Sequence, residues 1–147
     1  MEQKSISNLI TQFFSVDHER LDFLFRMYRE HKKDEPYKAI LIFEKFAEGL
    51  KKHIEWEEEL LFPAYDRVVK SIEQQSPTHA MCLEHQEINW LLDKILLHIK
   101  RKQASEALEK ELTELLLLHN EKEEQVLYIK CDRAISDSTL TDILLEM

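Results

Sequence analysis

Two segments of the chain carry the same pattern, a histidine followed four residues later by a glutamate. They are His53-Ile-Glu-Trp-Glu57 and His119-Asn-Glu-Lys-Glu123. Because an α-helix turns once in about 3.6 residues, this spacing places both side chains on one helix face. Each pair also continues a stripe of apolar residues. The pattern therefore indicates helices that aim imidazoles and carboxylates at the inside of a bundle, for which bound metal ions are the usual reason.

The composition suits long helices with few tight turns. The chain has 147 residues, of which one is glycine and three are proline, and its formal net charge is -9 at pH 7. That length is enough for a core, and we expect a single domain over residues 1–147. The acidic balance argues against nucleic acid and anionic membranes as partners. No apolar run approaches the roughly 18 residues that a membrane-spanning helix needs.

The cysteines and the first residues predict a location. Cys82 and Cys131 are too few for a disulfide framework, so we expect ordinary thiols in a reducing compartment. Residues 1–5 have none of the apolar stretch of a signal peptide. We therefore expect a cytoplasmic protein.

Prolines and polar residues divide the chain into four main helices and a short fifth one. Pro36 and Pro77 each stand at a first helical position after a polar stretch. The predicted helices run from 11 or 15 to 31, and over 36–70, 77–102, 105–134 and 139–146. We expect Thr139 to begin the last helix, with Asp142 in the capping-box position, and Pro63 to bend the second. Short connections predict an all-α fold, an up-down-up-down four-helix bundle with a short C-terminal helix.

The inner stripes of the four helices follow from alternating steps of four and three. The stripes are Phe14, His18, Leu21, Phe25 and Tyr28; Phe46, Leu50, His53, Glu57, Leu60 and Ala64; Met81, His85, Ile88, Leu92, Ile95 and Ile99; and Leu108, Leu112, Leu115, His119, Glu123 and Val126. Their polar members are His18, His53, Glu57, His85, His119 and Glu123. In an antiparallel bundle these positions share one end, so we expect four imidazoles and two carboxylates in one layer.

Other residues near these stripes have simpler interpretations. Gly49, one turn before His53, either allows close helix approach or leaves a small access path. Glu58 belongs to an acidic run that we expect to be a solvated face. We expect Tyr28 and Tyr65 to line the core. The remaining histidines are interpreted as surface residues, and they are His31, His79 and His98.

The predicted layer has the donor atoms of a metal site. Neutral imidazole with carboxylate suits iron, zinc, manganese or cobalt. Four histidines and two glutamates exceed what one tetrahedral zinc needs. Two carboxylates able to bridge, with two imidazoles for each metal, fit a dinuclear site. For six-coordinate iron, the positions left open would allow reaction with dioxygen, nitric oxide or peroxide.

The motifs around these residues resemble the hemerythrin-like, or HHE cation-binding, domain family. The matching segments are Asp17-His18-Glu19-Arg20-Leu21-Asp22, His53-Ile-Glu-Trp-Glu-Glu-Glu-Leu-Leu-Phe-Pro63, His85, and His119-Asn-Glu-Lys-Glu-Glu124, within about residues 11–130. The resemblance implies a four-helix bundle with two non-haem iron ions joined by oxo or hydroxo and carboxylate bridges. Zinc and manganese are the alternative metals. By that likeness His18 and His53 would hold one iron and His85 and His119 the other, with Glu57 and Glu123 as bridges.

The chain departs from the oxygen-carrying members of that family. Those have a second histidine four residues before the one on the third helix, where this chain has Met81, and a bridging aspartate five residues after the last histidine. Glu124 has the aspartate spacing, but Glu123 mirrors Glu57 and is our choice as the bridge. The missing histidine implies a more symmetric and more open iron pair. The ligand set is more similar to hemerythrin-like iron-sulfur repair and nitric-oxide-response proteins, and to an iron-sensing domain of a ubiquitin ligase subunit.

These observations lead to one main functional hypothesis and two alternatives. The main one is a di-iron protein that binds dioxygen or nitric oxide for sensing, scavenging or storage. The first alternative is an enzyme of oxidative or nitrosative defence, or an iron donor for iron-sulfur repair, which would use an external electron donor. The second is a helical interaction protein that works without metal.

Overall fold

A computed structural model of the protein describes residues 8–69 and 76–147. Helices take up most of these residues, and no strand occurs within them. The elements are α1 (Leu9–His31), α2 (Pro36–Trp56), π1 (Glu57–Leu61), α3 (Phe62–Val69), α4 (Pro77–Lys100), α5 (Glu106–Lys122), π2 (Glu123–Leu127), α6 (Tyr128–Ala134) and α7 (Asp137–Glu146). α2, π1 and α3 form one continuous helix, as do α5, π2 and α6. The prediction of an all-α fold is confirmed.

The four long helices pack as a bundle. α1 contacts α2, α2 contacts α4, α4 contacts α5, and the bundle closes where α6 contacts α1. The first helix begins at Leu9, a little earlier than predicted, and α4 ends at Lys100. The predicted end of the second helix at residue 70 lies outside the described residues, as do residues 71–75 that follow it. Over the described ranges, no helix is long and apolar enough to cross a membrane.

The start of the C-terminal helix was predicted incorrectly. α7 begins at Asp137, and its capping residue is Ser136, not Thr139. The Ser136 hydroxyl oxygen accepts a hydrogen bond from the Thr139 backbone N–H at 3.2 Å. Serine in extended backbone geometry satisfies a donor of the first turn in this way. Leu140 and Ile143 then pack into the end of the bundle.

A layer of polar residues divides the apolar core into two clusters. The residues that we call the polar layer are His18, His53, Glu57, His85, His119 and Glu123. One cluster contains Leu21, Phe25, Tyr28, Phe43, Phe46, Leu50, Ile88, Leu92, Ile95 and Leu112, among others. The other includes Ile10, Phe14, Leu61, Phe62, Tyr65, Met81, Leu127, Tyr128, Cys131 and residues of α7. Every long helix therefore has apolar residues on both sides of its polar ones.

The two π-helical turns change which residues face inward. Leu60 is only half-buried and Val126 is 46 % exposed, so Val126 was wrongly predicted as an inner residue. Leu61 and Leu127 lie inside instead, at 0 % and 2 % exposure. Each π turn adds one residue to the helix, which moves the inward position one residue along. Pro63 follows π1, but π2 has no proline, so proline is not the cause common to both turns.

Gly49 allows α1 and α2 to approach closely. A Cβ atom added there would lie 2.8 Å from Leu21 Cδ2 and 3.3 Å from an Arg20 guanidinium nitrogen. A separation under 3 Å requires the end of the Leu21 side chain to shift. Of the two interpretations of this glycine, the structure favours close approach.

Candidate metal centre

The structure brings together all six residues of the polar layer. None of them is more than 5 % exposed, and Glu57, His85 and Glu123 are fully buried. α1 and α4 supply His18 and His85. The two continuous long helices each supply a histidine in their α-helical part and a glutamate at the start of the π turn. Because the helices alternate in direction, residues far apart in sequence meet at one level.

The donor atoms form two groups that share a carboxylate. One group contains Glu57, His85, His119 and Glu123, whose donor atoms all lie within 4.8 Å of one another. The second contains His18, His53 and Glu123 under the same limit.

Both carboxylates face both groups. Glu57 Oε1 is 3.2 Å from His85 Nε2, and Glu57 Oε2 is 3.7 Å from His53 Nε2. Glu123 Oε1 is 3.3 Å from His18 Nε2 and 3.2 Å from His119 Nε2. A carboxylate placed between two imidazole groups in this way is suited to bridging two cations.

Each imidazole of the layer is held by a carboxylate on another helical segment. The Nδ1–carboxylate pairs and distances are His18–Glu124 at 2.8 Å, His53–Asp17 at 2.8 Å, His85–Glu58 at 2.7 Å and His119–Glu84 at 2.8 Å. A carboxylate only accepts hydrogen bonds, so the proton of each neutral ring lies on Nδ1. Nε2 then presents a lone pair to the layer. Such carboxylate–histidine pairs fix the orientation of metal-binding imidazoles.

The carboxylates that hold the imidazoles follow one rule in both halves of the chain. The first half contains His18 and then His53, and the second half contains His85 and then His119. The residue before each first histidine, Asp17 or Glu84, binds the second histidine of the same half. The residue after each buried glutamate, Glu58 or Glu124, binds the first histidine of the other half. The π turns also begin at equivalent glutamates. The site is therefore built from two similar halves, and each half also holds the first histidine of the other in place.

The bare donor set contains unpaired groups that a cation would satisfy. Within the described part of the chain, Glu57 Oε1 and Glu123 Oε2 are buried carboxylate oxygens without a hydrogen-bond partner. Nε2 of His85 faces Nε2 of His119 at 3.2 Å, where at most one of the two can carry a hydrogen. Buried polar atoms left unpaired cost free energy. The residues therefore fit bound metal ions.

The carboxylates also raise the pKa of the neighbouring imidazoles. Burial alone would lower the pKa of His53, but the Glu57 carboxylate and the hydrogen bond to Asp17 outweigh it and raise that pKa to about 9. Burial opposes the charged form of His85 as well, yet the neighbouring Glu123 and Glu57 carboxylates outweigh it and raise the pKa of His85 to about 10. The layer therefore attracts positive charge strongly, as protons or as metal ions.

One residue in the centre of the site was missed in the sequence analysis. The hydroxyl oxygen of Tyr128 lies 2.7 Å from Glu57 Oε2 and 3.0 Å from Glu123 Oε1. It is also 3.2 Å from Nε2 of both His18 and His53. In an uninterrupted α-helix, a residue five positions after Glu123 would not lie on the same face. The extra residue of π2 brings it there.

Two acidic residues next to the layer hold its imidazoles. Glu58 is exposed, as predicted, and its carboxylate also accepts a hydrogen bond from His85. Glu124, the alternative bridge, binds His18 Nδ1 and is 38 % exposed, whereas Glu123 faces into the layer at 0 %. Tyr28 is buried as predicted, and its hydroxyl donates to Glu109 away from the layer. The three remaining histidines, His31, His79 and His98, belong to none of the donor groups found in the described residues.

A third group of donor atoms lies beside the layer. It contains Glu58, Cys82 and His85, and it shares His85 with the first group. Burial and the carboxylate of Glu58 raise the pKa of the Cys82 thiol to about 11. In the metal-free protein Cys82 is therefore a neutral thiol, and a metal would have to displace its proton to bind there.

A cavity of about 520 Å³ lies between α1 and α5 and reaches His18. Its apolar lining is formed by Leu21, Phe25, Phe46, Leu50, Leu116 and Leu117. Acidic residues surround it as well, and they are Glu19, Asp22, Glu121 and Glu124. The cavity therefore connects one side of the polar layer with an apolar space large enough for a small molecule.

Comparison with known proteins identifies the family of the chain. The family model of the hemerythrin HHE cation-binding domain matches residues 9–131. That range contains the whole polar layer and the four carboxylates that hold its imidazoles. Neither the curated proteins nor the solved structures give a significant match. The chain belongs to the hemerythrin HHE cation-binding domain family.

Proposed function

We propose that the chain binds two iron ions and uses the pair to bind dioxygen or nitric oxide, for sensing, scavenging or storage. The observation that carries the proposal is the buried polar layer, in which four Nε2 atoms and two carboxylates converge. His18 and His53 would hold one iron, and His85 and His119 the other. Glu57 and Glu123 would be shared between them.

We choose iron among the metals that the donor set allows, with zinc and manganese as the alternatives. Imidazole nitrogen and carboxylate oxygen suit all three metals, and no thiolate takes part. A single zinc ion needs about four ligands, and the layer offers six residues in two groups that share Glu123. A pair of iron ions would supply redox chemistry toward a small gas at coordination positions that the protein leaves open.

The cavity supports a small and weakly polar ligand. Its apolar side chains reach His18, so a diatomic gas could approach the edge of the layer there, beside Glu124. The residues of the chain would exclude bulk water, hold the imidazoles and keep the carboxylates ionised. Glu123, for instance, has its pKa held well below the usual range, because His119 and other hydrogen-bonding neighbours outweigh the effect of burial.

A metal-independent interaction protein is less compatible with the site. Such a protein would bury Glu57 Oε1 and Glu123 Oε2 without a hydrogen-bond partner, and only protonated imidazoles would offset their charge. A defence enzyme or an iron donor would use the same site. The enzyme would be recognised by turnover with an external electron donor, and the iron donor by release of iron to an acceptor protein.

The test is a gas-binding titration of the ferrous, iron-loaded protein under argon. We expect nitric oxide or air to change the optical spectrum in proportion to the bound iron pair. Free ferrous iron and iron-free protein serve as controls. An iron-loaded protein whose spectrum changes no more than free iron would contradict the proposal, and peroxide or nitric oxide turnover with a reductant would favour the enzyme.

A further inference from the structure

The two halves of the metal centre differ at one aromatic position. Phe62 follows Glu57 by five residues, and Tyr128 follows Glu123 by five residues. Each ring lies beside the first histidine of the other half. The ring centroids are 5.9 Å apart for Phe62 and His85, and 5.7 Å apart for Tyr128 and His18. The rings are therefore equivalent in place, but only Tyr128 has a hydroxyl group.

That hydroxyl completes the smaller of the two donor groups. Under the 4.8 Å limit the group with His85 and His119 contains two carboxylates, whereas the group with His18 and His53 contains only Glu123, and Glu57 approaches it through His53 at 3.7 Å. The Tyr128 oxygen lies 3.2 Å from Nε2 of His18 and 3.2 Å from Nε2 of His53. It is 2.7 Å from Glu57 and 3.0 Å from Glu123.

These distances are those of neighbouring ligands around one metal ion. Donor atoms at right angles on a metal with bonds of about 2.1 Å are separated by about 3 Å. Tyr128 is fully buried and makes these four contacts inside the layer, so its oxygen is positioned as a donor atom of the site. Phe62 offers nothing comparable to the other metal position.

We propose that Tyr128 is a ligand of the metal held by His18 and His53, which makes the two metal positions chemically different. The inference rests on the proposed metal-binding function. When ferric iron binds, the phenol O–H bond breaks, an oxygen–iron bond forms, and the proton leaves to solvent. No electron is transferred in this step. The anionic oxygen stabilises the ferric form of this iron relative to the iron held by His85 and His119.

The test uses the absorption and Raman signature of phenolate bound to ferric iron. The full chain is loaded with iron under argon, oxidised with air, and analysed for metal content and for a visible phenolate-to-iron charge-transfer band. Tyr128→Phe removes only the oxygen. Tyr28→Phe is the matched control, because it also removes a buried hydroxyl, one that donates to Glu109 away from the layer.

We expect the band, with phenolate vibrations enhanced in it, in the wild type and in Tyr28→Phe, and its loss in Tyr128→Phe. The Tyr128→Phe protein should also give up one of its two irons to a chelator faster than the wild type does. Two bound irons without the band in the wild type would overturn the inference and leave the proposed function standing. A band retained in Tyr128→Phe would do the same. A wild-type chain with far less than two irons would overturn both. If Tyr128→Phe does not fold, absence of the band from the wild type still overturns the inference.

Discussion

His18 Nδ1 lies 2.8 Å from Glu124 Oε2, although the two residues are 106 positions apart. The contact joins α1 to π2, next to the buried Glu123. The three other imidazoles of the polar layer are held by equivalent carboxylates. The orientation of every proposed ligand histidine therefore depends on a side chain that does not itself face the metal positions.

Glu124→Ala should weaken metal binding without abolishing it. The substitution removes the acceptor that orients His18, and loss of such a carboxylate lowers metal affinity by about 10–100-fold. Competition with a chelator of known affinity measures the effect. Glu121→Ala is the control, since Glu121 is exposed on the same helix and should leave affinity unchanged. Equal effects of the two variants would mean that net charge, and not the contact with His18, controls affinity.

Glu57→Ala should lower metal occupancy, with the loss of at least one of two bound ions. Its carboxylate lies between His53 and His85, and the variant removes the shared oxygens. His31→Ala is the matched control, because Nδ1 of His31 is hydrogen-bonded to the Met27 carbonyl oxygen, away from the layer. Metal analysis of both purified proteins tests this. If the two variants lost metal equally, the site would be misplaced.

The metal-free protein should become less stable as the pH rises above neutrality. In the folded chain the pKa of His53 is raised to about 9 and that of His85 to about 10, from an ordinary value of 6.5. A raised pKa means that the folded state binds protons more tightly than the unfolded chain. This contribution is fully present below about pH 6.5 and is lost as the pH rises through 9 to 10.

Urea unfolding of the metal-free protein at several pH values measures this trend. Metal ions displace the same protons, so metal affinity should rise over the same interval. An unfolding free energy that increased steadily from pH 6.5 to 10 would contradict the assigned direction of the shifts.

Asp132→Ala should destabilise the fold and leave metal stoichiometry intact. The buried Asp132 carboxylate accepts from the backbone N–H groups of Ile10 and Thr11, and from the Thr11 hydroxyl, so it ties the start of α1 to α6. Leaving these donors unpaired should cost about 1–3 kcal/mol. Thermal unfolding and metal analysis are compared with those of Asp142→Ala, an exposed position. A stable Asp132→Ala protein that had lost its metal would contradict this separation of roles.

Much of the bundle and of the polar layer could be predicted from the sequence. The stripe of each helix, the prolines at residues 36 and 77, and the short connections determine the antiparallel order, and that order brings His18 and Glu123 to one level. These features depend on helical periodicity, which can be read directly from the order of apolar and polar residues in the sequence.

The π turns and their consequences could not be predicted. A π turn is an insertion into the backbone pattern, and no residue type at Glu57 or Glu123 signals it. Without that insertion Tyr128 does not lie on the inner face, and Val126 does. The carboxylates that hold the imidazoles were missed for another reason: in a chain with 29 acidic residues, Glu58 and Glu84 look like ordinary surface residues.

The most direct test of the dinuclear site is a titration of the metal-free protein with ferrous iron under argon, followed by metal analysis after removal of unbound iron. We expect saturation at about two irons per chain, and at clearly less in Glu57→Ala. Saturation at one iron or none in the wild type would contradict the central claim that the polar layer holds a metal pair.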